Sequence, residues 1–351
     1  MRWRLVAAAA CAACALGLGA CVHGMVSMPG ESFAGAPPPL DEGGRALAEQ
    51  VSADVRRLAV DIGERNVSRK PEALAAAASF VELQLRGMGY TVDKQRFEAQ
   101  RFAPRYAARR PEPAVGHPVE NLVAERRGKG RASEIVVVGA HYDSAEGTPG
   151  ADDNASGVAA ALALARAFAV RAPERTVRFV FFVNEEPPWF EGPHMGSDVY
   201  AAHCRARGDD VVAMFSLETL GFFSDAPGSQ QYPFPFSLVY PSTGTFVGFV
   251  GDLSSQRLVH EAVRRFREHA TVASEGASVP GSIEGIGWSD HAAFWRHGYR
   301  AVMVTDTAPF RNPHYHEPTD LPPTLDVERL VRTVQGLDAM IVDLAASDQR
   351  W

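Results

Sequence analysis

Cysteine is scarce in this chain of 351 residues: four in all, Cys11, Cys14, Cys21 and Cys204. Three fall within the first 21 positions, so no disulfide framework can staple the body and its stability must come from a buried core. Positive charge is in deficit as well, with 35 Lys and Arg against 42 Asp and Glu for a net charge of -7. No basic stripe stands out, which excludes the phosphate-backbone contacts of a nucleic-acid partner. The apolar run from Leu5 to Ala20 is shorter than the roughly 20 residues that span a bilayer. There is no internal repeat and no break in composition to mark a second domain. What remains is ordinary for a globular protein, 46% hydrophobic and 22% charged, and enough for one large domain.

Arg2 and Arg4 precede the short apolar run, which closes on Leu18-Gly19-Ala20-Cys21. That arrangement has the shape of an export signal, and its last four residues resemble a bacterial lipoprotein signal. The resemblance implies removal of residues 1–20, acylation of Cys21, and an exported protein anchored to the cell-envelope membrane. Residues 21–44 are rich in Pro, Gly and Ser, including Pro37-Pro38-Pro39, and are expected to be a flexible tether. Residues 45–351 are expected to form a single catalytic domain.

Apolar periodicity predicts helices over 45–60, 71–88, 157–170, 196–207, 254–269 and 327–346, with a short one after Ser289. Strands are expected over 90–97, from 121, and over 135–138, 176–183, 211–217 and 301–305. Strands alternating with helices imply a sheet covered on both faces. Residues 221–244 break the rhythm with aromatics, prolines and glycines, and are expected to lie over a site.

Polar chemistry gathers where the predicted strands end, the usual place for a site in an open α/β sheet. After Ile135 to Val138 come His141 and Asp143, a Gly and Pro loop, and then Asp152-Asp153-Asn154 ahead of a helix. Imidazole and carboxylate suit an open catalytic zinc site. Asp143, two residues on in extended chain, shares a side with His141 and is placed to accept its ring N–H. Asp153 and Asn154 also read as helix caps. Glu185-Glu186 follows the strand over 176–183, where two acids can divide the work between holding metal and moving protons. Glu218 ends an apolar strand, and burying that carboxylate is costly unless it is paired or metal-bound. After the strand over 301–305 comes Arg311-Asn312-Pro313-His314-Tyr315-His316.

In this order, HxD, GADDNASG, EE, an acid, SDH and YH, the set over Asn121 to Leu344 closely resembles the zinc aminopeptidases of clan MH. That family also includes glutamate carboxypeptidases and glutaminyl cyclases. The resemblance implies a three-layer α/β/α sandwich with a mixed, mostly parallel central sheet, and two zinc ions acting on a peptide substrate. His141 and Glu218 would hold one zinc, Glu186 and His316 the other, with Asp153 between them. Glu185 would be the general base, Asp143 would orient His141, Tyr315 would steady an oxyanion, and Asp290 would be a buried supporting acid. Glu218 stands where many relatives carry Asp. An aminopeptidase is the first reading. The alternatives are a carboxypeptidase or dipeptidase, with Arg311 gripping a terminal carboxylate, a glutaminyl cyclase using one zinc, and a lipoprotein without catalysis.

Overall fold

The computed structural model describes residues 24–100 and 116–351, so the expected signal segment and Cys21 lie outside the described residues. One mixed sheet of eight strands organises the body: β1 (Val92–Ala99), β2 (His117–Arg126), β3 (Arg131–His141), β4 (Arg175–Phe182), β5 (Asp210–Glu218), β6 (Phe246–Gly251), β7 (Ala273–Ser278) and β8 (Ala301–Thr305). Their spatial order is β1-β2-β4-β3-β5-β8-β6-β7. The central four, β4, β3, β5 and β8, are parallel, so their C-terminal ends open on one edge. β2 joins β4 antiparallel at one side and β6 joins β8 antiparallel at the other.

Side chains on β3 alternate between two cores, Val136, Val138 and Ala140 facing one and Ile135 and Val137 the other. That period of two, with both faces buried, is what a strand between helical layers requires. The larger core is covered by α1 (Glu42–Arg56), α2 (Pro71–Gly87), α3 (Gly157–Ala169), α5 (Gln256–His269) and α7 (Val327–Ala346), the smaller by α4 (Gly196–Arg207) and α6 (His291–Arg296). The result is the three-layer α/β/α sandwich. Asp41 caps α1 by accepting from the Gly44 amide at 2.7 Å, and Asp326 caps α7 through the Arg329 amide at 2.9 Å. α3 is almost wholly buried and approaches β5 closely at its first residue. A Cβ on Gly157 would collide with the Leu217 carbonyl oxygen, so glycine sets that distance.

Three features differ from the sequence reading. β6 and β7 were not anticipated, and β2 begins at His117 rather than Asn121. The segment expected to be a flexible tether is laid against the body over its described residues. Arg267 donates to the carbonyls of Met28, Pro29 and Gly30, Ser32 accepts from the Ser274 amide, and Arg332 holds the Pro38 carbonyl. Backbone carbonyls answered by buried or half-buried arginines keep this Pro- and Gly-rich stretch in place.

Candidate metal centre

The chain places an imidazole or a carboxylate at three adjacent parallel strand ends. His141 is the last residue of β3 and Glu218 the last of β5. Beyond β4, Asn184 turns the chain at φ 59° and presents Glu185 and Glu186. Asp153 comes from the loop before α3 and His316, at φ 58°, from the loop after β8. All are buried except His316, whose side chain is 35% exposed.

These groups form two triads that share one carboxylate, His141 with Asp153 and Glu218, and His316 with Asp153 and Glu186. His141 Nε2 lies 3.3 Å from Asp153 Oδ1 and 3.3 Å from Glu218 Oε2. His316 Nε2 lies 3.1 Å from Asp153 Oδ2 and 3.2 Å from Glu186 Oε2. Ligand atoms about 2.0–2.1 Å from a tetrahedral zinc stand roughly 3.3 Å apart, so each triad has the spacing of zinc donors. Asp153 Oδ1 and Glu186 Oε1 are buried without a hydrogen bond, which a cation would remedy. The residues present therefore fit zinc.

Electrostatics point the same way. Burial alone would lower the His141 pKa, but the carboxylates of Glu218 and Glu185 push it well above its ordinary value. Burial raises Glu186 to about 7, the Asp153 charge adding to the effect, and raises Glu185 well above the usual carboxylate range. Burial opposes charge on His316 too, yet Asp153 and Glu186 raise it to about 11. Four carboxylates crowded around two imidazoles therefore favour positive charge at this point, the field that a divalent cation requires.

Residues 121–340 match the family model of Peptidase family M28. The chain belongs to peptidase family M28. It is 38% identical over 239 residues to the uncharacterized protein YfbL of Escherichia coli (strain K12), covering 65% of this chain and 72% of YfbL. A probable leucine aminopeptidase of Arthroderma otae is 28% identical over 229 residues, which are 61% of this chain and only 54% of that protein. In fold the M28 chain resembles BSAP, a zinc aminopeptidase from Bacillus subtilis, with a TM-score of 0.66 at 16% identity, covering 86% of this chain and 95% of the other. It also resembles a glutaminyl cyclase of Fimbriiglobus ruber, with a TM-score of 0.59 at 20% identity, covering 88% and 97%.

The structure adds detail to the sequence reading at several M28 site residues. Asp143 Oδ1 stands 3.5 Å from His141 Nδ1, and that nitrogen makes no hydrogen bond. The Asp143 carboxylate, facing the His141 ring, also accepts the backbone N–H groups of Glu185 at 3.2 Å and Glu186 at 3.1 Å, fixing where both acids start. Asn154 does cap α3, accepting from the Gly157 amide at 3.1 Å, while its neighbour Asp153 faces the triads. Arg311 is no grip for a substrate carboxylate. It is buried, donates to Gln230 and to the Phe246 carbonyl, and stacks over the Phe246 ring, pinning the 221–244 loop. Tyr315 stacks on His316 at 3.9 Å between centroids, and burial pushes its phenol pKa upward so that it keeps its proton. Asp290 is fully buried with neither oxygen hydrogen-bonded, and burial lifts it to about 7.

The sequence reading missed the residues that hold the loop carrying Asp153. Arg65, fully buried, donates to the carbonyls of Tyr142 at 2.8 Å, Pro149 at 2.6 Å and Gly150 at 2.9 Å. Asp320 accepts the amides of Asp152 at 2.9 Å and Asp153 at 3.1 Å. Ser289 donates to Glu218 Oε2 at 2.7 Å. Ser289 sits inside the SDH motif and was within reach, whereas Asp320 lies beyond the YH motif. Arg65, between two helices in a polar stretch, looks like any surface arginine.

Proposed function

We propose that this M28 peptidase is an exported aminopeptidase that works with two zinc ions and prefers an apolar N-terminal residue. The observation that carries the reading is the shared carboxylate, Asp153, with one oxygen turned to each histidine-carboxylate pair. His141 and Glu218 would hold one zinc and Glu186 and His316 the other, with Asp153 common to both. Bound there, zinc supplies Lewis-acid polarisation of a peptide carbonyl and a more acidic water.

The remaining steps belong to side chains. Glu185, 3.9 Å from His141 Nε2 and assigned no metal, takes the proton of the attacking water and returns it to the leaving amine. Asp143 holds it in place through the backbone. The protonated Tyr315 phenol donates to the oxygen that gains charge. An apolar cavity begins at Glu218 and Tyr315 and is walled by Tyr232, Phe236, Phe246 and Phe310, which supports selection of one apolar side chain. The surrounding acids receive the free α-amine. The tetrapeptide ending in Cys21 supports export and acylation, and a Cys21→Ser variant is expected to lose its lipid and its membrane fractionation.

Aminoacyl, carboxyl-terminal and N-terminal glutaminyl substrates offered side by side to the purified protein test the reading. Release of apolar N-terminal residues is expected. Cyclisation of N-terminal glutamine without hydrolysis would replace it with the cyclase alternative.

A further inference from the structure

Beyond the metal centre, the surface carries one apolar face that no part of the described chain covers. From Ala226 to Gly251 the sequence runs 26 residues without a charged side chain. Within that run Phe234, Leu238 and Val239 are 82%, 76% and 53% exposed. The run folds over a small apolar cluster distinct from both cores, built on Ala277, Val279 and Ile286 and joined by Phe236, Tyr240 and Met25. Nine large apolar side chains are exposed among the described residues, and five of them, these three with Leu253 and Trp288, lie within three positions of a member of that cluster. Scattered exposed apolar residues are ordinary, whereas a grouped set marks a contact surface.

The chain itself indicates what the contact is. Gln256 on α5 donates to the Gly24 carbonyl at 2.8 Å, Met25 packs into the cluster, and the Met28 side chain lies against Gly276. Cys21 is only three residues before Gly24, a span of at most about 10 Å. An acyl group on Cys21 would therefore enter a membrane beside this face. Acyl anchoring is strengthened by a second contact, and an uncharged aromatic and aliphatic surface is suited to the headgroup boundary.

We propose that the apolar face around Phe234, Leu238 and Val239 rests on a phospholipid bilayer. The walls of the apolar cavity include Phe236, Tyr240, Ala277 and Ile286 from the same cluster, so docking sets the mouth of the metal centre close to the membrane surface. The inference goes beyond the peptidase reading and rests on the proposed acylation of Cys21, which is what points to a bilayer as the occupant.

The test is site-specific photocrosslinking of the full chain, with a benzophenone amino acid at Leu238 or Val239, and at Leu83 on α2 as an exposed control. The protein is reconstituted with vesicles of phosphatidylethanolamine and phosphatidylglycerol, and adducts are read by mass spectrometry together with the mass at Cys21. Phospholipid adducts at 238 and 239 and none at 83 are expected. Equal adducts at all three positions, adducts to a second copy of the chain or to its own N-terminal segment, or none at 238 and 239 overturn the proposal. Adducts at 238 and 239 on a chain without lipid at Cys21 support docking and remove the anchor. A lipidated chain without such adducts keeps the anchor and removes docking. Hydrolysis assays on the same samples report separately on the peptidase reading.

Discussion

The two ends of the central sheet bury charge in opposite ways. At the N-terminal end of β4, Arg175 is fully buried and every nitrogen is answered: Glu134 at 2.5 Å, the Leu344 carbonyl at 2.8 Å, the Gln349 carbonyl at 2.6 Å, and the Trp351 ring over its face. At the C-terminal end of the same strands, Glu186, Asp153 and Asp290 are buried with oxygens that no hydrogen bond reaches. A buried charge with all its partners is structural, whereas buried acids without them are arranged for something that arrives later. Buried charge alone therefore says little about function; what matters is whether the protein satisfies it.

Substitutions at the two ends should separate these roles. Glu185→Gln is expected to keep the fold and the bound metal while kcat falls about 10²- to 10⁴-fold, because the carboxylate acts only as the proton carrier. Glu186→Gln, its neighbour, should lose metal together with activity. Metal analysis beside steady-state kinetics distinguishes them, and near-normal turnover in a fully loaded Glu185→Gln protein would remove Glu185 as the base.

At the other end, Arg175→Met leaves the Leu344 and Gln349 carbonyls without their donor and the Glu134 carboxylate with only Arg131 at 3.7 Å. It should cost about 3–5 kcal/mol of stability, measured by denaturant unfolding, and leave kcat per folded molecule unchanged. A fall in kcat without loss of stability would blur the contrast between the ends.

The smallest expected effect sharpens the boundary between them. Arg65→Lys keeps the positive charge but loses the fork that grips three carbonyls of the Asp153 loop. Zinc affinity, measured by competition with a chelator, should weaken about 10- to 100-fold, as for other residues that orient metal ligands from behind. Unchanged affinity would mean that the loop holds its shape without Arg65.

Much of this was legible in the sequence because burial leaves a strong trace. The β-branched run before His141 and the apolar run from Arg178 to Val183 read as buried strands, and the ligand types followed at their ends. β6 and β7 were not legible, since FVGFVG and ASEGAS carry glycine and serine in place of a clear alternation, and their strand form depends on neighbours already in the sheet. Arg65 and Asp320 were hidden for a related reason. Their roles are bonds to backbone atoms far away in the chain, which no local pattern records. Arg311 was misread in the opposite sense, because proximity in sequence to His316 said nothing about the carbonyls that enclose it.

The central claim is that Asp153 serves two metal positions at once, and counting zinc per chain by native mass spectrometry tests it most directly. Two zinc ions are predicted for the native protein, and about one for both His141→Ala and Glu218→Ala. A single zinc in the native protein, unaltered by either substitution, would contradict the account.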